Sequence, residues 1–280
     1  MMALVVAVIF LIGVGRLLFV CLRPMTLCLT FDDGMKAHAT IAAPELEKRG
    51  WLGAFNVPTN IIGGAKLSDA QLNDMGLCGH EDMLMDWDDV NMLLAHGHEV
   101  GPHTSDHVDL VDLERAGRLD EIDRQIRQSK QTFEQKTGLC PRFFCLPHNK
   151  NSKFVTAAIR RCGMKPFSCS RLNFGEPGHM NYFGTITDYL TEQYRFGRSH
   201  VDIMIHGILK SQGGWRPFVD EAEFVAFLDE VVRMERGGKI KVVPYSSVHG
   251  GSGIAGWIAD IWRRAEAKAR RAVFKVFIRK

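Results

Sequence analysis

The chain has 280 residues, 46% hydrophobic and 24% charged, enough for one sizeable core. A formal net charge of +3 singles out no partner, and nothing resembles a nucleic-acid-binding module, so no nucleic-acid partner is expected. The seven cysteines are odd in number and include no C-x-x-C pair, which argues against a disulfide framework and against a cysteine metal site. Cys28, Cys145 and Cys169 lie in apolar runs, where a thiol acts as a small hydrophobe.

The N-terminus, "MMALVVAVIFLIGVG", Arg16, then "LLFVCL", is about the ~20 residues a bilayer span requires. It lacks the basic start and small-residue cleavage site of a good signal peptide. Residues 1–24 are read as a hydrophobic anchor or signal-like segment, a helix at a membrane. The alternative, a buried core helix, suits Arg16 no better.

From Met25 onward, short apolar runs alternate with helix-like segments. "MTLCLTF", "GAFNVP", "HEVGPH", "RFFCLP", "KPFSCS", "VDIMIH" and "KIKVVPY" read as strands. Helices are expected to end at Gly50, Gly97, Gly138, Gly163 and Gly237, with Ser152 capping one start. Repeated βα units imply a largely parallel sheet, either a closed barrel or an open doubly wound one. Residues 60–88 form a long connection of the kind that serves as a lid or binding loop.

After "GGSG" at 250–253, an apolar stripe beginning Trp257, Ile258, Ile261, Trp262 faces away from Arg and Lys. Residues 254–280 carry eight Lys/Arg and two Asp/Glu, leaving residues 1–253 at −3. This basic amphipathic helix suits a membrane surface or docking on the domain.

The chemistry concentrates at strand ends, where parallel α/β folds gather reactive groups. In "TFDDG", Asp32 and Asp33 follow the first strand, and Gly34 permits a sharp turn. Two adjacent carboxylates are tolerable if one binds a cation; otherwise "DDG" is good turn chemistry. In "HGHEVGPHTSDHVDL", His103 and His107 stand four apart just past a strand, on one helical turn or a compact loop, a common zinc spacing. His98-Glu99 followed by His103 does not make a helical H-E-x-x-H, because Gly101-Pro102 intervene. His96 fits a helix C-terminus and His98 a strand, neither with a catalytic part.

Asp33, His103 and His107 would make a His₂-carboxylate site with open positions, the catalytic type, with Asp32 placed to take a proton from bound water. His206 ends the run "VDIMIH", where an acid for a leaving group is wanted. In "FFCLPHN", Pro147 fixes the backbone so that the His148 N–H could face an oxyanion.

Taken together, "TFDDG", "HTSDH", "FCLPHN" and "IMIHG" resemble the motifs of the polysaccharide deacetylase family, the NodB-homology domain or carbohydrate esterase family 4. The resemblance covers about residues 25–248. It implies a distorted, partly open (β/α) barrel, with the N-terminal hydrophobic helix and the C-terminal basic amphipathic helix of 249–280 outside it. It also implies metal-dependent removal of acetyl groups from a glycan, with water on one divalent ion, zinc, as nucleophile. By motif position Asp32 is the base, Asp33, His103 and His107 the ligands, His206 the acid, and the His148 N–H the oxyanion donor.

Two departures stand out. Cys145 occupies the place of the third motif's arginine and is expected neither to pair with nor to orient Asp32. The fourth motif, D-x-x-D-W, is missing; Asp188 is a candidate partner for His206, while Asp202 lies ~13 Å away along its strand.

The expected substrate is an acetylated glycan, and the expected location is membrane-associated with the catalytic domain extracytoplasmic, although two arginines do not fix the orientation. The alternative is a non-catalytic carbohydrate-binding or scaffold protein on the same fold. A phosphatase with an aspartyl nucleophile ranks last, because its carboxylates would stand two apart.

Overall fold

The computed structural model describes residues 23–63, 84–167, 173–174, 183–208 and 221–249, with isolated positions at 68, 70 and between 261 and 272. Most of residues 1–24, expected as an anchor, most of the 60–88 connection, Cys169 and most of the expected C-terminal helix lie outside the described residues. Among the described residues, no helix is long and apolar enough to cross a membrane.

Strand β1 (Met25–Phe31) is central because its odd positions are all large and apolar. Met25, Leu27, Leu29 and Phe31 are fully buried in the main core, and Thr26, Cys28 and Thr30 point the other way. Its neighbours are β2 (Ala54–Val57) and β7 (His200–Ile205). β3 (Glu99–Pro102) and β6 (Asn173–Phe174) extend the sheet to the order β3-β2-β1-β7-β6, and β8 (Ile240–Val242) pairs with the first residues of β1. Every ladder is parallel, as the alternating βα pattern predicts.

β4 (Phe143–Phe144) and β5 (Lys165–Pro166) form a separate parallel pair. Cys145 N–H joins it to β3 by donating to the Pro102 carbonyl at 3.0 Å. Glycine permits that approach: a Cβ on Gly101 would stand 3.0 Å from the Phe143 carbonyl oxygen. No closed barrel forms among the described residues: the main parallel sheet ends at β3, and the β4–β5 ladder meets that edge through the Cys145–Pro102 hydrogen bond.

Helices cover the apolar face. A π-turn (His38–Ala42) runs into α1 (Ala43–Glu47). α2 (Trp87–Ala95) opens with a capping box between Asp86 and Asp89, and α4 (Leu119–Thr137) stops at Gly138 with φ 70°. α5 (Lys153–Arg161) starts under the Ser152 hydroxyl, as expected. α7 (Glu221–Arg236) buries Phe224 and Phe227 against the sheet, where Phe31 stacks on Phe55 at 4.8 Å. Burial of each such ring contributes roughly 1.5–3 kcal/mol. Three helices had no clear sequence signal: α3 (Leu110–Arg115), α6 (Phe183–Arg195) and α8 (Tyr245–His249).

His96 and His98 do serve the fold. His96 closes α2 and meets Glu47 at 2.9 Å. His98 accepts from Gly53 N–H through Nδ1 and so donates through Nε2 to Glu47 at 3.1 Å, tying β2 to β3.

Candidate metal centre

The β1–β7 ladder continues one step beyond β1, where Asp32 N–H donates to the Ile205 carbonyl at 3.1 Å. The chain then turns left-handed at Asp33 (φ 76°) and Gly34 (φ 67°). Asp33 departs from extended geometry, which separates the two carboxylates while keeping both buried. A left-handed aspartate is costly, and such strain persists where the surroundings impose it.

His103 follows β3, and its N–H donates to the Val57 carbonyl at 2.8 Å. The stretch to His107 is a compact loop rather than a helical turn, because Thr104 (φ 62°) and His107 (φ 55°) are left-handed. Gln125 of α4, fully buried, clamps it. Its Oε1 accepts from the N–H groups of Ser105 and Asp106 at 3.0 and 3.1 Å, and its Nε2 donates to Asp106 Oδ2 at 2.5 Å. Asn60 holds the other side, donating from its backbone to Ser105 and from its side chain to Asp106.

Three side chains thereby converge. His103 Nε2 and His107 Nε2 lie 3.4 and 3.0 Å from the same oxygen, Asp33 Oδ1, which is buried and has no hydrogen-bond partner in acceptable geometry. Ligand atoms of all three fall within 4.8 Å of one another. Burial pushes the Asp33 carboxyl up, but the His107 and His206 imidazoles and contacts from His103 and His107 outweigh it and hold the group well below the usual carboxylate range. An ionised carboxylate facing two imidazole nitrogens is a donor set that fits a divalent cation, zinc among them.

Asp32 lies alongside. Its carboxylate, a ring nitrogen of His103 and the Cys145 sulfur also fall within 4.8 Å of one another. Asn56 Nδ2 donates to Asp32 Oδ1 at 2.6 Å, and the Cys145 thiol donates to Oδ2 at 3.6 Å. The expectation that Cys145 cannot pair with Asp32 is therefore corrected: the thiol is a weak neutral donor to it.

His206, one residue past β7, is buried with Nε2 3.8 Å from Asp33 Oδ2. Asp188 is exposed on α6, and Asp202 turns to His200 and His249, so neither matches the partner sought for His206. What fixes the His206 backbone instead is His38, whose Nε2 donates to the His206 carbonyl oxygen. Burial drives the His38 pKa down to about 4, against contacts with His206 and Asp33 that raise it, so the ring is neutral near pH 7. His148 (φ 57°) is exposed in the turn Pro147–Asn149, its ring 5.3 Å from that of His107. A groove of about 570 Å³ runs from His107 and His148 past Asp109, Asp112, Arg118 and Lys150.

Asn56, Gln125 and His38 escaped the sequence reading. Asn56 sat inside a strand already recognised, two residues before Pro58, and its inward alternation was the available signal. His38 and Gln125 carry no motif; only the pairing of β1 with β7 and the packing of α4 bring them in.

Three comparisons with known proteins bear on this geometry. A family model described as "Polysaccharide deacetylase" matches residues 20–167. No curated protein matches the sequence. Among solved structures, the Xyl-CE4 domain of a multidomain xylanase from the hindgut metagenome of Trinervitermes trinervoides is 14% identical at a TM-score of 0.52, over 80% of this chain and 89% of that one. Peptidoglycan deacetylase PdaC from Bacillus subtilis is 18% identical at 0.52, over 90% and 98%. A CE4 family pseudoenzyme from Bacillus anthracis is 15% identical at 0.53, over 80% and 65%; a mutant of it has restored enzymatic activity. At these identities the likenesses show the fold.

Proposed function

Because the chain belongs to the polysaccharide deacetylase family, we propose that it is a metal-dependent hydrolase that removes amide- or ester-linked acetyl groups from a carbohydrate. The observation that carries this reading is the convergence of Asp33, His103 and His107 on one point with Asp32 beside it. A divalent ion held by those three would lower the pKa of a water and polarise the acetyl carbonyl.

The remaining steps belong to the chain's own groups. Asp32, anchored by Asn56 and the Cys145 thiol, takes the proton from the attacking water. His206, its backbone pinned by His38, donates a proton to the departing amine. The His148 main-chain N–H faces the developing oxyanion, and its left-handed turn is the feature that supports this role. The groove beside His107 and His148 suits a polar glycan, with acidic and basic side chains on its walls.

The proposal extends to organisation and place. Residues 1–24 attach the protein to a membrane, 25–248 form an extracytoplasmic catalytic domain, and 249–280 follow as linker and basic helix. Fractionation of cells with and without residues 1–24 tests the attachment: release of the shortened chain supports it, and unchanged partition refutes it.

Cys145 favours one second reading, a glycan-binding pseudoenzyme, because a thiol is a weaker partner for Asp32 than an arginine. Acetate release from a panel of acetylated glycans, with and without chelator, separates the two. The hydrolase releases acetate and loses the activity to chelator; the binding protein retains a glycan and releases none.

A further inference from the structure

A second cluster of metal-ligating side chains lies on the same face of the sheet, at its opposite end. Cys28 of β1 and Asp202 of β7 are direct partners in the parallel ladder, and His200 is paired with Thr26 one alternation below. Ligand atoms of Cys28, His200 and Asp202 fall within 4.8 Å of one another. His249, the last residue of α8, brings a fourth. Its Nε2 is 3.1 Å from His200 Nε2 and 3.3 Å from Asp202 Oδ1, while His200 Nε2 is 2.6 Å from that same oxygen. Asp202 and His206 are four residues apart on an extended strand, so this cluster is ~13 Å from the upper site.

The orientation of the His200 ring suits a cation site. Thr26 Oγ1 contacts both the Ser199 carbonyl at 3.1 Å and His200 Nδ1 at 2.9 Å. A hydroxyl has one proton, and a carbonyl can only accept, so both contacts are made when Thr26 donates to Ser199 and accepts from His200 Nδ1–H. His200 Nε2 then faces a carboxylate oxygen and a second imidazole nitrogen. An outer ring N–H held by a neighbour while the inner nitrogen faces other ligands is the arrangement metal-bound histidines adopt.

Charge and shape agree. Asp202 is buried, with its Oδ1 facing both imidazoles. Glu99 accepts from Ser246 N–H at 3.1 Å on the same side. Cys28 is buried in the same basin, its sulfur within 4.8 Å of the His200 and Asp202 ligand atoms. Ligands about 2.0–2.3 Å from zinc stand roughly 3.3–3.7 Å apart; His249 Nε2 is 3.1 and 3.3 Å from its two neighbours, and the 2.6 Å between His200 Nε2 and Asp202 Oδ1 would widen on binding. Tyr245, itself buried, stacks on the His249 ring at 4.2 Å and holds it in place.

We propose that Cys28, His200, Asp202 and His249 form a second, structural zinc-type site, a clip that fastens helix α8 to strands β1 and β7. With four protein ligands it is closed, in contrast to the three-ligand upper site. On binding, the Cys28 S–H bond breaks, sulfur keeps the electron pair as metal ligand, and the proton passes to solvent. The sequence reading expected no cysteine metal site because these ligands share no local spacing; strand pairing assembles them.

The test is cobalt substitution of the full chain, read by the thiolate-to-cobalt absorption that the Asp33/His103/His107 set cannot produce. The band is expected in the wild type, in Asp33→Ala, which empties the upper site, and in Cys145→Ser, which removes the thiol near it. It is expected to vanish in Cys28→Ser, and cobalt affinity is expected to fall at least tenfold in His249→Asn. Chelator is expected to lower the Tm of Asp33→Ala. No band in folded wild type at saturating cobalt, a band that survives in Cys28→Ser, or unchanged affinity in His249→Asn would overturn the proposal. The Asp33→Ala arm separates failure of this site from failure of the catalytic reading, and the His249 variant decides the matter if Cys28→Ser does not fold.

Discussion

Asn56 Nδ2 donates a 2.6 Å hydrogen bond to Asp32 Oδ1 from the adjacent strand, with both side chains buried. The amide fixes the orientation of the carboxylate, which suits a base. Hydrogen bonds to charged groups contribute about 1.5–3 kcal/mol, so Asn56→Ala is expected to cut kcat about 10- to 100-fold. Steady-state acetate release checks it, with KM expected to stay within a few-fold.

Cys145 makes the second contact to Asp32, from a thiol. Cys145→Ser supplies a stronger donor in nearly the same volume and is expected to keep or raise turnover. Cys145→Ala removes the donor and is expected to lower kcat by less than Asn56→Ala. Equal losses in both, measured side by side, would show that packing rather than the hydrogen bond matters at this position.

Gly34 continues the left-handed turn that begins at Asp33. At φ 67°, an added Cβ would meet Ile62 Cγ2 at 2.7 Å, so strain and collision coincide. Gly34→Ala is expected to destabilise the fold by about 1–3 kcal/mol and to abolish activity. Denaturant unfolding and acetate release read the two effects separately.

His38 gives stability a pH dependence with a definite sign. Its pKa falls from the ordinary 6.5 to about 4 in the fold because it is buried. The unfolded chain therefore binds a proton that the native chain refuses between those values. The contribution is complete above pH 6.5 and is lost as pH falls toward 4, on the order of 3 kcal/mol. His38→Gln, measured by denaturant unfolding in chelator, is expected to flatten that slope relative to wild type.

Much of this was legible before any coordinates. The strand runs around Leu29, Phe55 and Ile203, the glycine stops at 97, 138 and 163, and the Ser152 cap all follow from period and local chemistry. The ligand triad could be read because Asp33 and His103 closely follow strand ends and His107 stands four residues beyond His103. The carboxamides and imidazole that support the site could not. Asn56, Gln125 and His38 acquire their partners from sequence separations of 24, 20 and 168 residues, so only strand order and helix packing reveal them. The short helix α8 was missed because "PYSSVHG" is turn-like in isolation, and Tyr245 packing on Phe167 holds it. Cys145 was misjudged because a missing arginine was read as a missing partner.

The central claim is that Asp33 holds the ion while Asp32 moves the proton, and metal content measured beside acetate release in two variants tests it most directly. Asp33→Ala is expected to lose one equivalent of bound divalent metal per chain and all turnover. Asp32→Asn is expected to keep the wild-type metal content and lose turnover. Full activity in Asp32→Asn, or unchanged metal content in Asp33→Ala, would contradict the assignment.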